Sequence, residues 1–271
     1  MQITFYKYQG TGNDFIIIDN RNQDFPKSVA KLIAQLCDRR FGIGADGVLL
    51  LENDSDTDFR MVYYNADGNE GSMCGNGGRC LVAFARSLKI ISNETSFIAI
   101  DGLHQAQIFE DGLIALQMKD VDTIEITAEY IFLDTGSPHH VQIDENLATI
   151  DVKILGSNIR NSDMYGKVGT NVNFVKQENE DTFSMRTYER GVEDETYSCG
   201  TGASAVAIAM RAIGKTTHNK INLNVKGGKL EVSFNKNNEK FTDVFLKGPA
   251  EFIFKGEISI SMEYSNTRTL E

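Results

Sequence analysis

Two cysteines stand in glycine-rich turns that run straight into apolar segments: CGNGGRCLVAFARSL begins at Cys74 and CGTGASAVAIAMRAI at Cys199. A cysteine at the start of a helix occupies a particular electrostatic setting. The first-turn backbone N–H groups lack intrahelical acceptors, and the helix dipole adds partial positive charge at that end. Both favour a thiolate. An unperturbed thiol, with a pKa of ~8.5, is only slightly ionised at neutral pH, whereas helix N-termini bring cysteines to ~3.5–7.5. The glycines let a ligand approach the backbone, so that a carboxylate can take the same N–H groups.

A single such turn reads as a nucleophile, an anion turn or a packed thiol. Two equivalent copies suit the inversion of a stereocentre: one cysteine, as thiolate, removes a proton from a carbon, and the other, as thiol, delivers one to the opposite face. That reading expects the two helix starts to converge on one small cavity. An amino-acid α-hydrogen is far less acidic than a thiol, so the charge that builds on the substrate carboxylate must meet preorganised donors, which helix N-termini supply. No cofactor is obligatory for this chemistry, and none is expected. The GTGND run at Gly10 precedes a strand and lacks a dinucleotide fingerprint, and no GxxxxGK[ST] loop is present. No metal site is expected either. His104 and His218 are isolated, His139 and His140 point to opposite faces of a strand, and Cys37, Cys74, Cys80 and Cys199 form no CxxC pair.

The cysteine blocks belong to a longer repeat. An offset of 125 superposes Cys74 on Cys199, Gly75 on Gly200, Gly77 on Gly202 and Arg86 on Arg211. Leu81, Phe84, Ala85 and Leu88 recur at helical spacing, as do Val206, Ala209, Met210 and Ile213. Far from the cysteines the same offset carries Ile16, Ile18 and Asp19 onto Val141, Ile143 and Asp144, and Ile98, Ile100 and Gly102 onto Leu223, Val225 and Gly227. Two homologous halves follow, over 1–122 and 123–256, with the boundary near the polar stretch 119–127; the C-terminal strand near 257–271 is a candidate to return to the first half.

Within the first half, segments 3–8, 14–19, 47–51, 59–64, 96–101, 105–109 and 113–118 are β-branched or aromatic and separated by Gly, Asn and Asp turns, which predicts mainly antiparallel strands. Residues 27–39 form an amphipathic surface helix whose inner face carries Val29, Leu32, Ile33 and Leu36. The helix after each CGxG is apolar almost all round and must be enclosed. The expected fold class is α+β: two homologous domains of mainly antiparallel strands, each curled around a central buried helix. Cys37 and Cys80 are read as core thiols.

Composition excludes other classes. In 271 residues, 27 Lys and Arg stand against 38 Asp and Glu, a net charge of −11, which disfavours nucleic acid and anionic lipid as partners. Lys31, Arg39 and Arg40 are read as a solvated basic face. No apolar run approaches the ~20 residues of a membrane span. The opening residues MQITFYKYQG show no leader pattern, so a cytoplasmic protein with reduced thiols is expected.

The chain resembles the diaminopimelate epimerase family in GTGNDFIIID from Gly10, RRFGIGADG from Arg39, YYNADGNEGSMCGNGGRC from Tyr63, GSPHHV from Gly136, GTNVNFV from Gly169 and TYERGVEDETYSCGTGA from Thr187. The resemblance implies a cofactor-independent enzyme that interconverts LL- and meso-diaminopimelate, with Cys74 and Cys199 as the acid/base pair. By position, it implies backbone donors at Gly75, Asn76, Gly200 and Thr201, and contacts to the rest of the substrate from Asn13, Asn65, Asn171, Glu189 and Arg190. It implies a homodimer as well. Two positions depart from the commonest family pattern: Ser137 stands where Asn is usual, and Gly47 where many members have Gln. The nearest rival is a proline or hydroxyproline racemase; a non-catalytic amino-acid-binding protein and a thiol redox protein are the rivals of other classes.

Overall fold

The structure is a computed structural model that describes residues 1–27 and 29–260. The part of the expected last strand beyond residue 260 lies outside the described residues. In chain order the elements are β1 (Gln2–Gly10), β2 (Asn13–Asp19), α1 (Ala30–Cys37), β3 (Gly47–Glu52), β4 (Phe59–Asn65), α2 (Gly75–Ser87), β5 (Glu94–Ala99), β6 (Gly102–Ile108), β7 (Ile114–Gln117), β8 (Ile124–Ile126), β9 (Ile131–Asp134) and β10 (Pro138–Ile143). They continue with α3 (Val152–Arg160), β11 (Asn171–Gln177), β12 (Thr182–Glu189), β13 (Asp194–Thr196), α4 (Gly200–Ala212), β14 (Lys220–Val225), β15 (Gly228–Asn237), β16 (Lys240–Gly248) and β17 (Glu251–Ser259). The class is α+β and dominated by sheet, as the alternation of short strands and turns predicts.

The chain divides into two compact units. The first comprises Met1–Gly10, Asp14–Gly112 and the segment from Ala250; the second comprises Thr11–Asn13 and Leu113–Pro249. In the first, β17 lies antiparallel to β1, so the end of the described chain belongs with its beginning. The repeat is visible element by element: the offset of 125 carries α2, Gly75–Ser87, onto α4, Gly200–Ala212.

Antiparallel pairs predominate, but each unit also holds parallel ones among the described residues: β2 with β3 and β4 with β5 in the first, β10 with β11 and β12 with β14 in the second. Parallel neighbours need a crossover connection. Each helix supplies one: α1 joins β2 to β3, α2 joins β4 to β5, α3 joins β10 to β11, and α4 lies between β12 and β14.

The two central helices are enclosed. Ten of the thirteen residues of α4 are buried, all from Gly200 to Met210 except Thr201, and α2 is buried from Gly75 to Val82 and again at Phe84 and Ala85. Strand β3, GVLLLE, is buried at every position because α1 and α2 both pack on it. Helix α1 is shorter than the segment 27–39, since the extended Asp38 ends it. The expected strand 96–101 stops at Ala99, and Ile100 and Asp101 turn into Gly102, whose φ of 122° suits glycine.

Candidate active site

In the first unit, Cys74 is the N-cap of α2, with extended backbone at φ −112° and ψ 114°. Its Sγ accepts the Gly77 backbone N–H at 3.5 Å, so the sulfur takes one of the donors a helix start leaves over. Gly77 sits close to its neighbours: a Cβ on it would lie 3.3 Å from Leu49 and 3.5 Å from Cys74 Cβ. Gly75 and Asn76 follow and are buried. Asn65 ends β4 in a turn in which its N–H donates to Asn69 O and its O accepts from Gly68 N–H, both at 2.9 Å; its side chain is exposed.

Arg79 escaped sequence reasoning. It is 0% exposed, and its guanidinium donates to Asn76 Oδ1 at 2.9 Å and to Gly75 O at 3.3 Å. These bonds fix the Asn76 amide and the first turn of α2. Burial pulls the guanidinium down to about 10, with the sulfurs of Cys80 and then Cys74 acting to raise it, so it remains a cation at neutral pH. No periodicity marks it, because arginine in an apolar run reads as a break in the apolar face. Gly47 has a local reason: a Cβ there would lie 2.5 Å from both the Tyr63 ring and Tyr64 O, so the ring of Tyr63 fills the space of any side chain at 47.

Cys37 and Cys80 are both buried, and burial pushes each thiol up to about 12. They stay protonated and serve packing. Lys31, Arg39 and Arg40 are all exposed, and Arg39, past the end of α1, is also an anchor. It bonds Asp14 at 2.6 and 3.0 Å and Asp46 at 2.7 Å, and Lys7 reaches Asp14 at 2.6 Å. Burial would raise the Asp14 carboxyl, but the bonds from Arg39 and Lys7 outweigh it and hold the group at about 2.

In the second unit, Cys199 is the N-cap of α4 at φ −123° and ψ 115°, almost the backbone of Cys74. Its sulfur is bound differently, with Sγ 3.4 Å from Thr201 Oγ1. The Gly10–Asn13 turn packs beside it. Thr11 Oγ1 donates to Ser198 Oγ at 2.7 Å, and a Cβ on Gly227 would fall 1.7 Å from Thr11 O, so only glycine admits the turn. Asn13, the last residue of that turn, is half-buried.

Asn171 is buried on β11. Its amide donates to Ser137 Oγ at 3.1 Å and Pro138 O at 3.3 Å, and its Oδ1 accepts the Arg190 N–H at 2.9 Å. It therefore holds the backbone from which Arg190 projects, while Arg190 Nη1 donates to Val168 O at 3.2 Å. Glu189 ends β12 and is half-buried. The structure thus gathers Cys199, Thr201, Asn171 and Arg190 around Ser137 in one unit, and Cys74, Asn76 and Arg79 in the other.

Two further residues join the Cys199 group. His139 is 0% exposed, with Nδ1 3.0 Å from Asn173 Nδ2 and Nε2 3.0 Å from Ser137 Oγ; burial depresses its pKa to about 3, so the ring is neutral. Asn173 also donates to His140 O at 3.1 Å and accepts from Thr187 Oγ1 at 3.0 Å. The signal for Asn173 was its spacing of two from Asn171, which puts both on one face of a strand. A separate cleft of about 670 Å³ on the second unit, lined by Lys176, Arg186, Glu195 and Lys226 among others, includes neither cysteine. It is braced by an Arg186–Glu195 pair at 2.7 Å.

Comparison with known proteins converges on one family. The family model described as diaminopimelate epimerase matches residues 5–124 and 131–253, one segment on each copy of the repeat. A diaminopimelate epimerase of Flavobacterium psychrophilum is 66% identical over 253 residues, which cover 93% of this chain and 99% of that protein. One of Chlorobaculum tepidum is 42% identical over 259 residues, covering 93% and 99%. Among solved structures, a PhzF-family phenazine biosynthesis protein of Bacillus anthracis aligns with a TM-score of 0.78 at 13% identity, over 96% of this chain and 100% of that one. A hydroxyproline epimerase of Agrobacterium vitis aligns at 0.69 and 14% identity, over 95% and 92%. These two show a shared fold.

Proposed function

The chain belongs to the diaminopimelate epimerase family, and on that premise we propose that Cys74 and Cys199 are the acid and base by which it interconverts LL- and meso-diaminopimelate. The protein is an isomerase. The observation that carries the assignment is the repeated N-cap: each cysteine begins a thirteen-residue buried helix with nearly the same backbone angles.

In this reading each sulfur serves one face of the α-carbon. The thiolate takes the α-proton, the electron pair of the C–H bond passes towards the carboxylate, and the second thiol gives its proton to the opposite face, leaving the charge on the other sulfur. N–H groups of Gly75, Asn76, Gly200 and Thr201 would meet the carboxylate as charge builds on it. Arg190 would take the distal carboxylate, with Asn13, Asn65 and Glu189 around the distal amino acid, and Asn171 acting through the backbone of Arg190. Every step is a proton transfer, so no cofactor is called for. A homodimer and a cytoplasmic setting complete the reading: four free cysteines, two of them proposed as reactive, need a reducing compartment. Light scattering of the purified protein tests the dimer.

The test of the chemistry is exchange in D2O. With LL-diaminopimelate, deuterium should enter the α-carbon as the meso form appears. Cys74→Ala and Cys199→Ala should each abolish epimerisation, whereas Cys37→Ala and Cys80→Ala should keep it. Full epimerisation by Cys199→Ala would refute the two-thiol assignment.

A further inference from the structure

The hydrogen bonds behind Cys199 have a direction that the geometry fixes, although no hydrogen is seen. Asn173 settles the first link. Its Nδ2 lies 3.1 Å from the His140 carbonyl and its Oδ1 3.0 Å from Thr187 Oγ1. A carbonyl only accepts, so the atom facing it is the amide nitrogen, and that nitrogen's second hydrogen points at His139 Nδ1, 3.0 Å away. His139 Nδ1 is therefore an acceptor. The ring is neutral and buried, so its proton sits on Nε2 and is given to Ser137 Oγ at 3.0 Å.

Ser137 settles the next links. Its Oγ accepts from His139 and also from Asn171 Nδ2 at 3.1 Å, which fills both lone pairs. Its own hydrogen must go to Thr201 Oγ1 at 3.2 Å. Thr201, having accepted, turns its one hydroxyl hydrogen to Cys199 Sγ at 3.4 Å. The Thr201 carbonyl is held by Thr135 Oγ1 at 2.8 Å, which fixes the residue that presents the hydroxyl.

We propose that Ser137, held by Asn171 and by the His139 ring that Asn173 orients, is a positioning residue of the reaction: it locks the Thr201 hydroxyl as a donor to the Cys199 sulfur. Two consequences follow. When Cys199 carries negative charge, the fixed O–H stabilises it without reorganisation. When Cys199 carries a proton, its S–H cannot point at Thr201, whose hydrogen already occupies that line, and is left to aim elsewhere. The copy in the first unit meets the same need differently, because Cys74 takes the Gly77 backbone N–H. The chain also gives a role to Ser137 where the family commonly has Asn: its single hydroxyl accepts twice and donates once. The catalytic meaning of the chain rests on the two-thiol reading, but its test needs no substrate.

The test is the rate at which iodoacetamide alkylates Cys199 at neutral pH, read by peptide mass spectrometry with Cys74 as the internal control. The thiolate displaces iodide, so the rate follows the thiolate fraction. Thr201→Val keeps the shape and removes the hydroxyl; it should slow Cys199 by about tenfold, the effect of about one unit in thiol acidity, and leave Cys74 unchanged. Thr201→Ser should restore the rate, and Ser137→Ala should lower it. In the unmodified protein, ¹⁵N NMR should show His139 protonated at Nε2 only. A Cys199 rate unmoved by Thr201→Val, an equal loss at Cys74, or a proton on His139 Nδ1 would overturn the proposal. Should Ser137→Ala fail to fold, the Thr201 pair and the tautomer decide alone. Loss of deuterium exchange with these rates intact would instead count against the two-thiol reading.

Discussion

Acidifying the protein from pH 7 to pH 5 should cost it stability through His139, by an amount the structure sets. The ring is fully buried, its Nδ1 accepts from Asn173, and burial lowers its pKa from 6.5 to about 3. In this window the unfolded chain binds a proton that the native chain refuses, so stability falls as pH falls. His139 contributes its full effect above pH 6.5, and the contribution is lost progressively from there down towards 3. At about 1.36 kcal/mol per unit, the fall to pH 5 removes about 2 kcal/mol. His140, also lowered by burial, acts with the same sign. Asp14 does not interfere: its pKa is depressed from 3.8 to about 2, so its contribution is intact above 3.8 and is lost only as pH falls through about 2. The assay is urea unfolding at pH 7, 6 and 5, for the unmodified protein and His139→Gln. The variant should start less stable but show a pH slope shallower by about 2 kcal/mol over the window. Equal slopes, or a native His139 ring that titrates near 6.5 by NMR, would refute the reasoning.

Other outcomes follow from packing. Gly227→Ala puts a methyl group 1.7 Å from Thr11 O, so the Gly10–Asn13 turn must move; thermal unfolding should drop by several degrees and KM for diaminopimelate should rise more than kcat falls. Gly47→Gln, the residue common in the family, should destabilise this chain by about 1–3 kcal/mol in urea, because Tyr63 occupies the space, and the pair Gly47→Gln with Tyr63→Ala should recover part of the loss. Arg79→Met should cost about 3 kcal/mol or more, since Asn76 Oδ1 and Gly75 O lose their buried donor, whereas an exposed arginine such as Arg40 should cost under about 0.5 kcal/mol when changed to Met.

Local signals made much of this protein legible. A cysteine followed by glycines and an apolar run is a helix start wherever it occurs, and the repetition of that pattern at one offset exposes the duplication without any contact being known. Short β-branched and aromatic runs between turn residues likewise place β1, β2, β3 and β4, because these preferences are properties of the chain itself. The pairing of the strands was not legible in the same way. Short strands between turns read as antiparallel, yet pairs such as β2 with β3 and β10 with β11 are parallel, since the helix between them returns the chain in the direction it left.

The sequence by itself determined the two halves, the enclosed helix in each, and the cysteine at each helix start. Only the tertiary structure decided what surrounds those sulfurs. Ser137 meets Thr201 across a separation of 64 residues and His139 meets Asn173 across 34, so neither contact leaves a trace in local spacing. Arg79 reads as a charge and is buried because packing brings carbonyl and amide oxygens to it. The two cysteines have nearly the same backbone and different partners, an amide for Cys74 and a hydroxyl for Cys199. Duplication copies the local pattern, whereas a hydrogen bond between distant segments depends on which residues each half brings to it.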